Sequence, residues 1–339
     1  MHVLLYEWTT GGGLVEQSAA LPRSLLAEGV AMISALAADF AAIDGCRVTV
    51  LRDMRLTNLP LPLCEVVEIH SEPDWRLEFD RHAAAADFTL AVAPEFDGIL
   101  QATVARAAAA GAGLLNAPPD FIALTANKHR TAERLRQAGV AAPAGRLLAA
   151  DDPKLPADFS YPGVLKPIDG AGSQHMLLVE GPGDEPPPHP WPRRLESFHA
   201  GRAASAAFIC GAVDRFPLPA CWQRLSDDGR FTYLGGAIIR EAALACRAVA
   251  LAARALDALP AAYGYVGVDV VLGDASDGSE DVVIEVNPRL TTSYVGLRAA
   301  VEENLAQAIL DAARGGAPAL TLRHAEVQFS ADGKVCVEA

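Results

Sequence analysis

Residues 268–287 read VDVVLGDASDGSEDVVIEVN, two apolar segments that flank a turn-forming stretch with Asp277 near its middle. Apolar, β-branched segments on both sides of such a turn predict an antiparallel hairpin. If the hairpin is symmetric about Asp277, Asp269 and Glu285 lie opposite each other on one face of the sheet. Asn287 follows Glu285 by two residues and therefore shares that face. The stretch thus predicts two carboxylates and an amide side by side at the end of a hairpin.

Carboxylate and amide oxygens are the ligands that Mg²⁺ prefers, and Mn²⁺ accepts the same set. Magnesium bound through so few protein groups keeps waters and takes its other ligands from nucleotide phosphates. The apolar neighbours make these side chains costly to bury without such a partner. We therefore interpret Asp269, Glu285 and Asn287 as a metal site beside a nucleotide. The alternative is a solvent-exposed face of an ordinary hairpin.

Lysine is scarce, with four in 339 residues, so the sequence context of each lysine is informative. Lys166 ends an apolar segment and precedes a glycine-rich loop, residues 169–173, which is neither a Walker A loop nor a GxGxxG motif. Backbone N–H groups in such a loop cradle phosphate, and the lysine adds a point charge. Lys128 lies at the predicted start of a helix, where the helix dipole favours an anion. Taken singly, these are weak signals, because most glycine-rich turns bind nothing and Lys128 also suits a plain surface position.

Three regions follow from the predicted strands and helices. Residues 1–118 alternate short apolar strands with alanine-rich helical stretches, which indicates an α/β domain with a parallel sheet. Residues 119–194 hold the glycine loop between two strands and form a small lobe. Residues 195–339 form a larger α+β lobe, with one closing helix predicted over residues 297–313 and a C-terminal hairpin turning at Asp332-Gly333.

Taken in chain order, these residues resemble the nucleotide site of the ATP-grasp superfamily, and the first region resembles that family's pre-ATP-grasp domain. The match covers about residues 115–300 and implies an ATP-grasp fold in which ATP and the metal lie between two α+β lobes. The resemblance implies phosphate contacts by Lys128, Lys166 and the loop residues Gly170, Ala171, Gly172 and Ser173, metal binding by Asp269, Glu285 and Asn287, and adenine contacts by Glu196 and Phe198.

The resemblance also implies a catalytic pair, Lys166 and Arg289. Arg289 follows the metal set and is similar to the family arginine that stabilises an acyl phosphate and its tetrahedral successor, where negative charge accumulates. The neighbouring residues 291–293 are candidates for positioning a substrate. Residues 201–205 carry alanine where many relatives have a glutamate for the ribose. No residue stands out as a general base for an amine.

A narrower resemblance comes from the first region. Residues 6–13, the segment Ala27-Glu28-Gly29 and the segment around Glu95 resemble the tyramine–glutamate ligase group, which serves methanofuran-type cofactor biosynthesis. This implies an ADP-forming carboxylate–amine ligase that joins L-glutamate to tyramine, tyrosine or a close phenolic relative. Another amino-acid or dipeptide ligase of the same fold is the alternative. The substrate residues implied are Glu7, Gly11, Gly12, Gly13 and Glu95.

Composition excludes several other classes. A net charge of −14 argues against a broad contact with nucleic acid, and no run of about 18 apolar residues suggests a membrane span. The start lacks the features of a secretory signal, so we expect a cytoplasmic protein. The six cysteines form no CxxC pair, and no transition-metal site is expected. A dehydrogenase would need GxGxxG after the first strand, and Gly11-Gly12-Gly13 lacks that spacing. An inactive nucleotide-binding module stays open as an alternative.

Overall fold

The computed structural model describes residues 1–17, 19–151, 154–170, 172 and 174–338. Within these residues the chain forms three β-sheets, one parallel and two antiparallel. The helices are α1 Arg23–Ala41, α2 Glu72–Ala85, α3 Ile99–Ala109, α4 Pro119–Thr125, α5 Lys128–Gln137, α6 Ala242–Asp257, α7 Tyr294–Ala300 and α8 Leu305–Ala313.

The first domain is built on a parallel sheet, as predicted. Its strands are β1 His2–Glu7, β2 Arg47–Asp53, β3 Glu65–Ile69, β4 Phe88–Val92 and β5 Gly113–Leu114. They lie in the order β3-β2-β1-β4-β5, and all neighbours are parallel. The central strand β1 is buried along its whole length, which is typical of a parallel sheet covered by helices on both faces.

Helix α1 is long and apolar enough to cross a membrane, and it is the one such helix among the residues the structure describes. Its apolar side chains have another explanation, because Ile33, Leu36 and Phe40 are buried in the core of the first domain. The helix packs on β1 and β2 and also on α8 of the large lobe. Its composition is therefore accounted for by packing within the protein.

The small lobe is a four-stranded antiparallel sheet in the order β6-β9-β7-β8. Its strands are β6 Gly145–Leu148, β7 Gly163–Pro167, β8 Leu177–Val179 and β9 Arg193–Ser197. The predicted boundary after residue 194 divides β9, all of which pairs with β7. The small sheet thus ends at Ser197, and the chain enters the large sheet at Arg202.

The large lobe is an antiparallel sheet in the order β15-β14-β10-β12-β13-β16-β17, with β11 beside β10. Its strands are β10 Arg202–Cys210, β11 Arg215–Pro217, β12 Cys221–Leu225, β13 Tyr233–Ile238, β14 Gly264–Leu272, β15 Val282–Asn287, β16 Glu326–Ser330 and β17 Val335–Glu338. The predicted C-terminal hairpin is present as β16–β17 and extends this sheet through β13.

The single closing helix predicted over residues 297–313 is wrong, because the structure has two helices, α7 and α8. The chain becomes extended at Val301, which forms a β-bridge with Leu322. Asn304 then caps α8 by accepting hydrogen bonds from the backbone N–H groups of Ala306 and Gln307. An apolar periodicity that continues through both helices hid this break.

The first domain docks on the large lobe at the start of β14, the strand that carries Asp269. Gly264 has a φ of +72°, and a Cβ there would lie 2.3 Å from the carbonyl oxygen of Leu115, just after β5. Gly45 has a similar φ of +69° with nothing within 4 Å of the Cβ position. Alanine substitutions at these two glycines therefore distinguish the effect of backbone strain from the effect of the close approach of two domains.

We expect Gly264→Ala to destabilise the chain more than Gly45→Ala. Both variants place alanine at positive φ, which costs about 1–2 kcal/mol. Gly264→Ala must in addition push Leu115 away, and we expect a further loss of about 1–3 kcal/mol. Thermal unfolding of the two variants beside the parent chain measures the difference. Equal melting temperatures would show that this contact between domains has no weight in stability.

Candidate active site

A cavity of about 410 Å³ lies between the small sheet and the large sheet. The strands β7 and β9 line it from the small lobe, and β10, β12, β14 and β15 line it from the large lobe. The segment that follows β15 and helix α1 of the first domain complete the wall. All three predicted regions thus contribute side chains to one cavity.

The hairpin β14–β15 brings the predicted metal ligands together. Asp269 pairs directly with Glu285 across the strands, which confirms the predicted register, and a bulge follows at once between Asp269 and Val270. Asn287 donates a hydrogen bond from Nδ2 to Oδ2 of Asp269 at 3.1 Å. Gln223 on β12, which the sequence did not single out, donates from Nε2 to Oδ1 of Asp269 at 2.8 Å.

The partly exposed carboxylates of Asp269 and Glu285 repel each other across the hairpin. Burial and the nearby charge of Glu285 raise the pKa of Asp269 to about 7. Burial also acts to raise the pKa of Glu285, but the charges of Lys128 and Lys166 outweigh it, so that pKa lies below its ordinary value. A divalent cation between these oxygens would relieve the repulsion.

The donor set fits Mg²⁺ or Mn²⁺. Asp269, Glu285 and Asn287 offer hard oxygen atoms at the cavity wall, with room for water and phosphate oxygens to complete the coordination. The described part of the chain holds no cluster of three or more His, Cys, Asp or Glu side chains suited to a metal, and this site offers two carboxylates and one amide. The residues present thus suit a metal that is held jointly by protein and nucleotide.

Lys166 is almost completely buried at the end of β7, and its Nζ lies 2.5 Å from Oε1 of Glu196 on β9. Arg194 donates from Nε to the other oxygen, Oε2, at 2.8 Å. Glu196 was predicted to contact adenine, but its carboxylate is engaged by these two cations. Phe198 lines the cavity beyond β9 and stacks with Phe231, and its contact with adenine stays a prediction.

Lys128 lies at the start of α5 and contacts both the metal set and the glycine loop. Its Nζ lies 2.8 Å from Oε2 of Glu285 and donates to the carbonyl of Gly170 at 3.0 Å. Gly170 and Gly172 have φ values of +136° and +68°, which only glycine adopts without strain. The other two predicted loop residues, Ala171 and Ser173, lie outside the described residues. The loop is therefore tied to the metal set through one lysine.

Arg289 and Glu95 form a buried ion pair across the domain boundary. Nε of Arg289 lies 2.9 Å from Oε1 of Glu95, and Nη2 donates to Oε2 at 3.2 Å. Glu95 was predicted to face a substrate ammonium, whereas its carboxylate holds Arg289. The pair places the guanidinium in the cavity wall, beside Thr291, Thr292 and Ser293.

Glu7 and the three glycines form a turn outside the residues that line the cavity. The Glu7 carboxylate accepts hydrogen bonds from the backbone N–H groups of Thr9 at 3.1 Å and Thr10 at 2.7 Å, and from Oγ1 of Thr10 at 2.7 Å. Burial raises its pKa. A Cβ on Gly11 or Gly13 would collide with Tyr6 or Trp8, and Gly12 has a φ of +95°. These residues close the end of β1 in the structure.

Several cavity residues were absent from the predicted set, and Glu28 and Gln223 are two of them. Glu28 lies in a segment that was noted only as part of a resemblance, and Gln223 lies on β12, a strand without clear apolar alternation that the sequence reading overlooked. Ala203 and Ser205 line the cavity where an acid was expected for the ribose. The structure thus adds Glu28 and Gln223 to the polar side chains of the site.

Comparison with known proteins matches two family models to consecutive parts of the chain. A model of the ATP-grasp domain matches residues 125–293, and a model of the pre ATP-grasp 3 domain matches residues 46–122. These two ranges follow one another in the order predicted from the sequence. Together they account for the small lobe, most of the large lobe and much of the first domain, which confirms the predicted fold class.

Three relatives illustrate the likeness. The chain is 24% identical over 337 residues to tyramine–L-glutamate ligase of Methanocaldococcus fervens, covering 98% of each chain. It is 24% identical over 298 residues to the enzyme of the same name from Methanocaldococcus jannaschii, covering 87% of this chain and 84% of the relative. The solved structure of an ATP-grasp superfamily protein from Archaeoglobus fulgidus superposes with a TM-score of 0.72 at 23% identity, covering 97% of this chain and 92% of that chain. At this identity the solved structure supports the fold alone.

Proposed function

We propose that this chain, which belongs to the ATP-grasp family of carboxylate–amine ligases, joins L-glutamate to tyramine, tyrosine or a close phenolic amine with consumption of ATP. The observation that carries the proposal is the clustering of Lys128, Lys166 and Arg289 around two facing carboxylates in one cavity. The names of the two curated relatives supply the substrates. The proposed location is the cytoplasm, where ATP is available.

The proposed first step makes an acyl phosphate. A carboxylate oxygen of the acid attacks the γ-phosphorus of ATP, the bond to the bridging oxygen breaks, and ADP leaves. Lys166 and Lys128 bind the phosphate oxygens, and Gly170 and Gly172 of the loop contribute backbone N–H groups. A metal held by Asp269, Glu285 and Asn287 would neutralise phosphate charge when bound.

The proposed second step makes the amide. The amine nitrogen attacks the carbonyl carbon of the acyl phosphate, and phosphate leaves as the nitrogen loses a proton. Negative charge grows on the carbonyl oxygen in this step, and Arg289 lies in the cavity wall where it can stabilise that charge. The ion pair with Glu95 fixes the guanidinium before the substrate arrives, so little reorganisation is needed.

The intact set of cations and carboxylates argues against a nucleotide-binding module without catalysis. A module that only holds ATP needs phosphate contacts, but it has no use for a preorganised arginine beyond the metal set. The cavity lies at the meeting of both lobes and the first domain, which suits the binding of two further small substrates beside the nucleotide.

We expect the purified chain to release ADP when ATP, Mg²⁺, L-glutamate and tyramine are all present, and to form a glutamyl amide in equal amount. Coupled ADP detection and mass spectrometry of the products measure the two yields. Tyrosine replaces tyramine in a second arm, and each substrate is omitted in turn as a control. If another amino-acid pair turns over and this one does not, the substrates are wrong and the ligase class stands. Stabilisation by NADH alone in a thermal shift assay would contradict the ligase class itself.

A further inference from the structure

Glu28 lies where three parts of the molecule meet. It belongs to α1 of the first domain, and its Oε2 accepts a hydrogen bond from Oγ1 of Thr292, in the segment after the metal set, at 2.9 Å. Its Oε1 lies 3.7 Å from the position that a Cβ on Gly172 would occupy, so the glycine loop of the small lobe passes close by. The side chain lines the same cavity as Lys166 and Arg289.

Three other acids of the site already have partners. Glu285 faces Lys128, Glu196 faces Lys166 and Arg194, and Asp269 accepts two amide N–H groups. Among the described residues, Glu28 takes part in no ion pair, and the Thr292 hydroxyl is its hydrogen-bond donor. Burial raises the pKa of Glu28, and neither Thr292 nor the more distant charge of Arg289 cancels that rise. A carboxylate in this setting lacks a compensating cation.

We propose that Glu28 binds the ammonium group of a substrate, an inference that rests on the proposed ligase function. The reaction offers two such groups, the α-ammonium of the amino acid and the amine before it loses its proton. Either one presents N–H donors and a positive charge to the carboxylate, and so supplies the missing partner. Thr292 orients the carboxylate and leaves Oε1 free for the ligand.

Asp169 is the competing candidate, because it also lines the cavity and takes part in no ion pair among the described residues. Its Oδ2 accepts the backbone N–H of Asp97 at 3.3 Å. It lies at the start of the glycine loop, beside the proposed phosphate contacts, where a substrate ammonium is less well placed than at Glu28. Glu28 instead accepts a hydrogen bond from Thr292, which lies in the same segment as Arg289, near the proposed site of amide formation.

The test compares Glu28→Gln, Asp169→Asn and Glu302→Gln with the parent chain. We expect Glu28→Gln to raise the KM of one amino substrate about 10- to 100-fold, the value of one charged hydrogen bond, with the KM of ATP nearly unchanged. A rise for L-glutamate assigns the α-ammonium as the ligand, and a rise for tyramine assigns the amine. Glu302 is exposed and outside the cavity, so Glu302→Gln should match the parent chain.

Several outcomes would overturn the assignment. They are an unchanged KM for both amino substrates, an equal rise in the KM of ATP, or a rise seen only in Asp169→Asn. If the parent chain forms no glutamyl amide, the proposed substrates fail, and Glu28 is then tested by binding. Thermal shift assays compare L-glutamate and tyramine, each with its analogue that lacks the amino group, in the presence of a non-hydrolysable ATP analogue. The parent chain should be stabilised more by the ammonium compound than by its analogue, and Glu28→Gln should lose this difference. Absence of that difference in the parent chain, or its persistence in Glu28→Gln, refutes the proposal.

Discussion

Replacing Glu285 with glutamine is expected to abolish ligase turnover while the chain remains folded. The change removes one negative charge from the pair that Asp269 and Glu285 form across the hairpin, and so weakens the hold on a divalent metal. We expect kcat to fall by about 1000-fold or more, since metal neutralisation of phosphate charge supplies several kcal/mol in such reactions. Glutamine has nearly the same shape and can still accept a hydrogen bond from Lys128, so the melting temperature should change little.

Steady-state ADP release and thermal unfolding of the same preparation check this expectation. Glu302→Gln is the matched control, because it makes the same chemical change at an exposed position away from the cavity. Titration of activity with Mg²⁺ and with Mn²⁺ adds a second measurement, since the variant should need a far higher concentration of either metal for any remaining activity. Full activity of Glu285→Gln at the metal concentration that saturates the parent chain would place the metal site elsewhere.

The sequence was sufficient to predict the pairing of Asp269 with Glu285. Both residues lie within one short stretch of chain, and symmetry about Asp277 gives this pair. Nearer the turn Val270 pairs with Val283, so the observed partner of Asp269 also depends on the bulge between Asp269 and Val270. The elements of the proposed nucleotide site could be predicted for a similar reason. A lysine at the end of a strand, a glycine loop and a helix start can each be recognised locally. The pattern did not reveal the bulge after Asp269, which has no glycine or proline to signal it.

Contacts between domains were beyond the sequence. Arg289 and Glu95 are 194 positions apart, and Thr292 and Glu28 are 264 apart, so only the docked domains bring them together. Glu7 shows a local limitation. Its carboxylate accepts hydrogen bonds from the N–H groups of its own turn, and the sequence alone does not distinguish this arrangement from a solvated acid at a cleft. The acid of the first domain that does line the cavity is Glu28, which lies on α1, the helix that follows β1 along the chain.

Replacing Lys166 with alanine is expected to lower kcat/KM for ATP by about 100-fold or more, the scale of losing one preorganised donor to a phosphoryl group. The structure adds a second consequence, because Lys166 is one of two cations on Glu196. Its loss leaves Glu196 with Arg194 alone, in a setting where both side chains are almost fully buried. We therefore expect a lower melting temperature together with the catalytic defect. Lys334→Ala, at a side chain that is 85% exposed in the C-terminal hairpin, is the control and should alter neither property.

The two consequences can be separated by a compensating change. In the double variant Lys166→Met with Glu196→Gln, a neutral amide replaces the carboxylate that has lost its lysine. Arg194 still has the amide oxygen as an acceptor. We expect the melting temperature to recover relative to Lys166→Met, while ATP turnover stays as low as in Lys166→Met. Recovery of turnover along with stability would mean that Lys166 supports the fold of the small lobe and makes no direct contribution to phosphate binding.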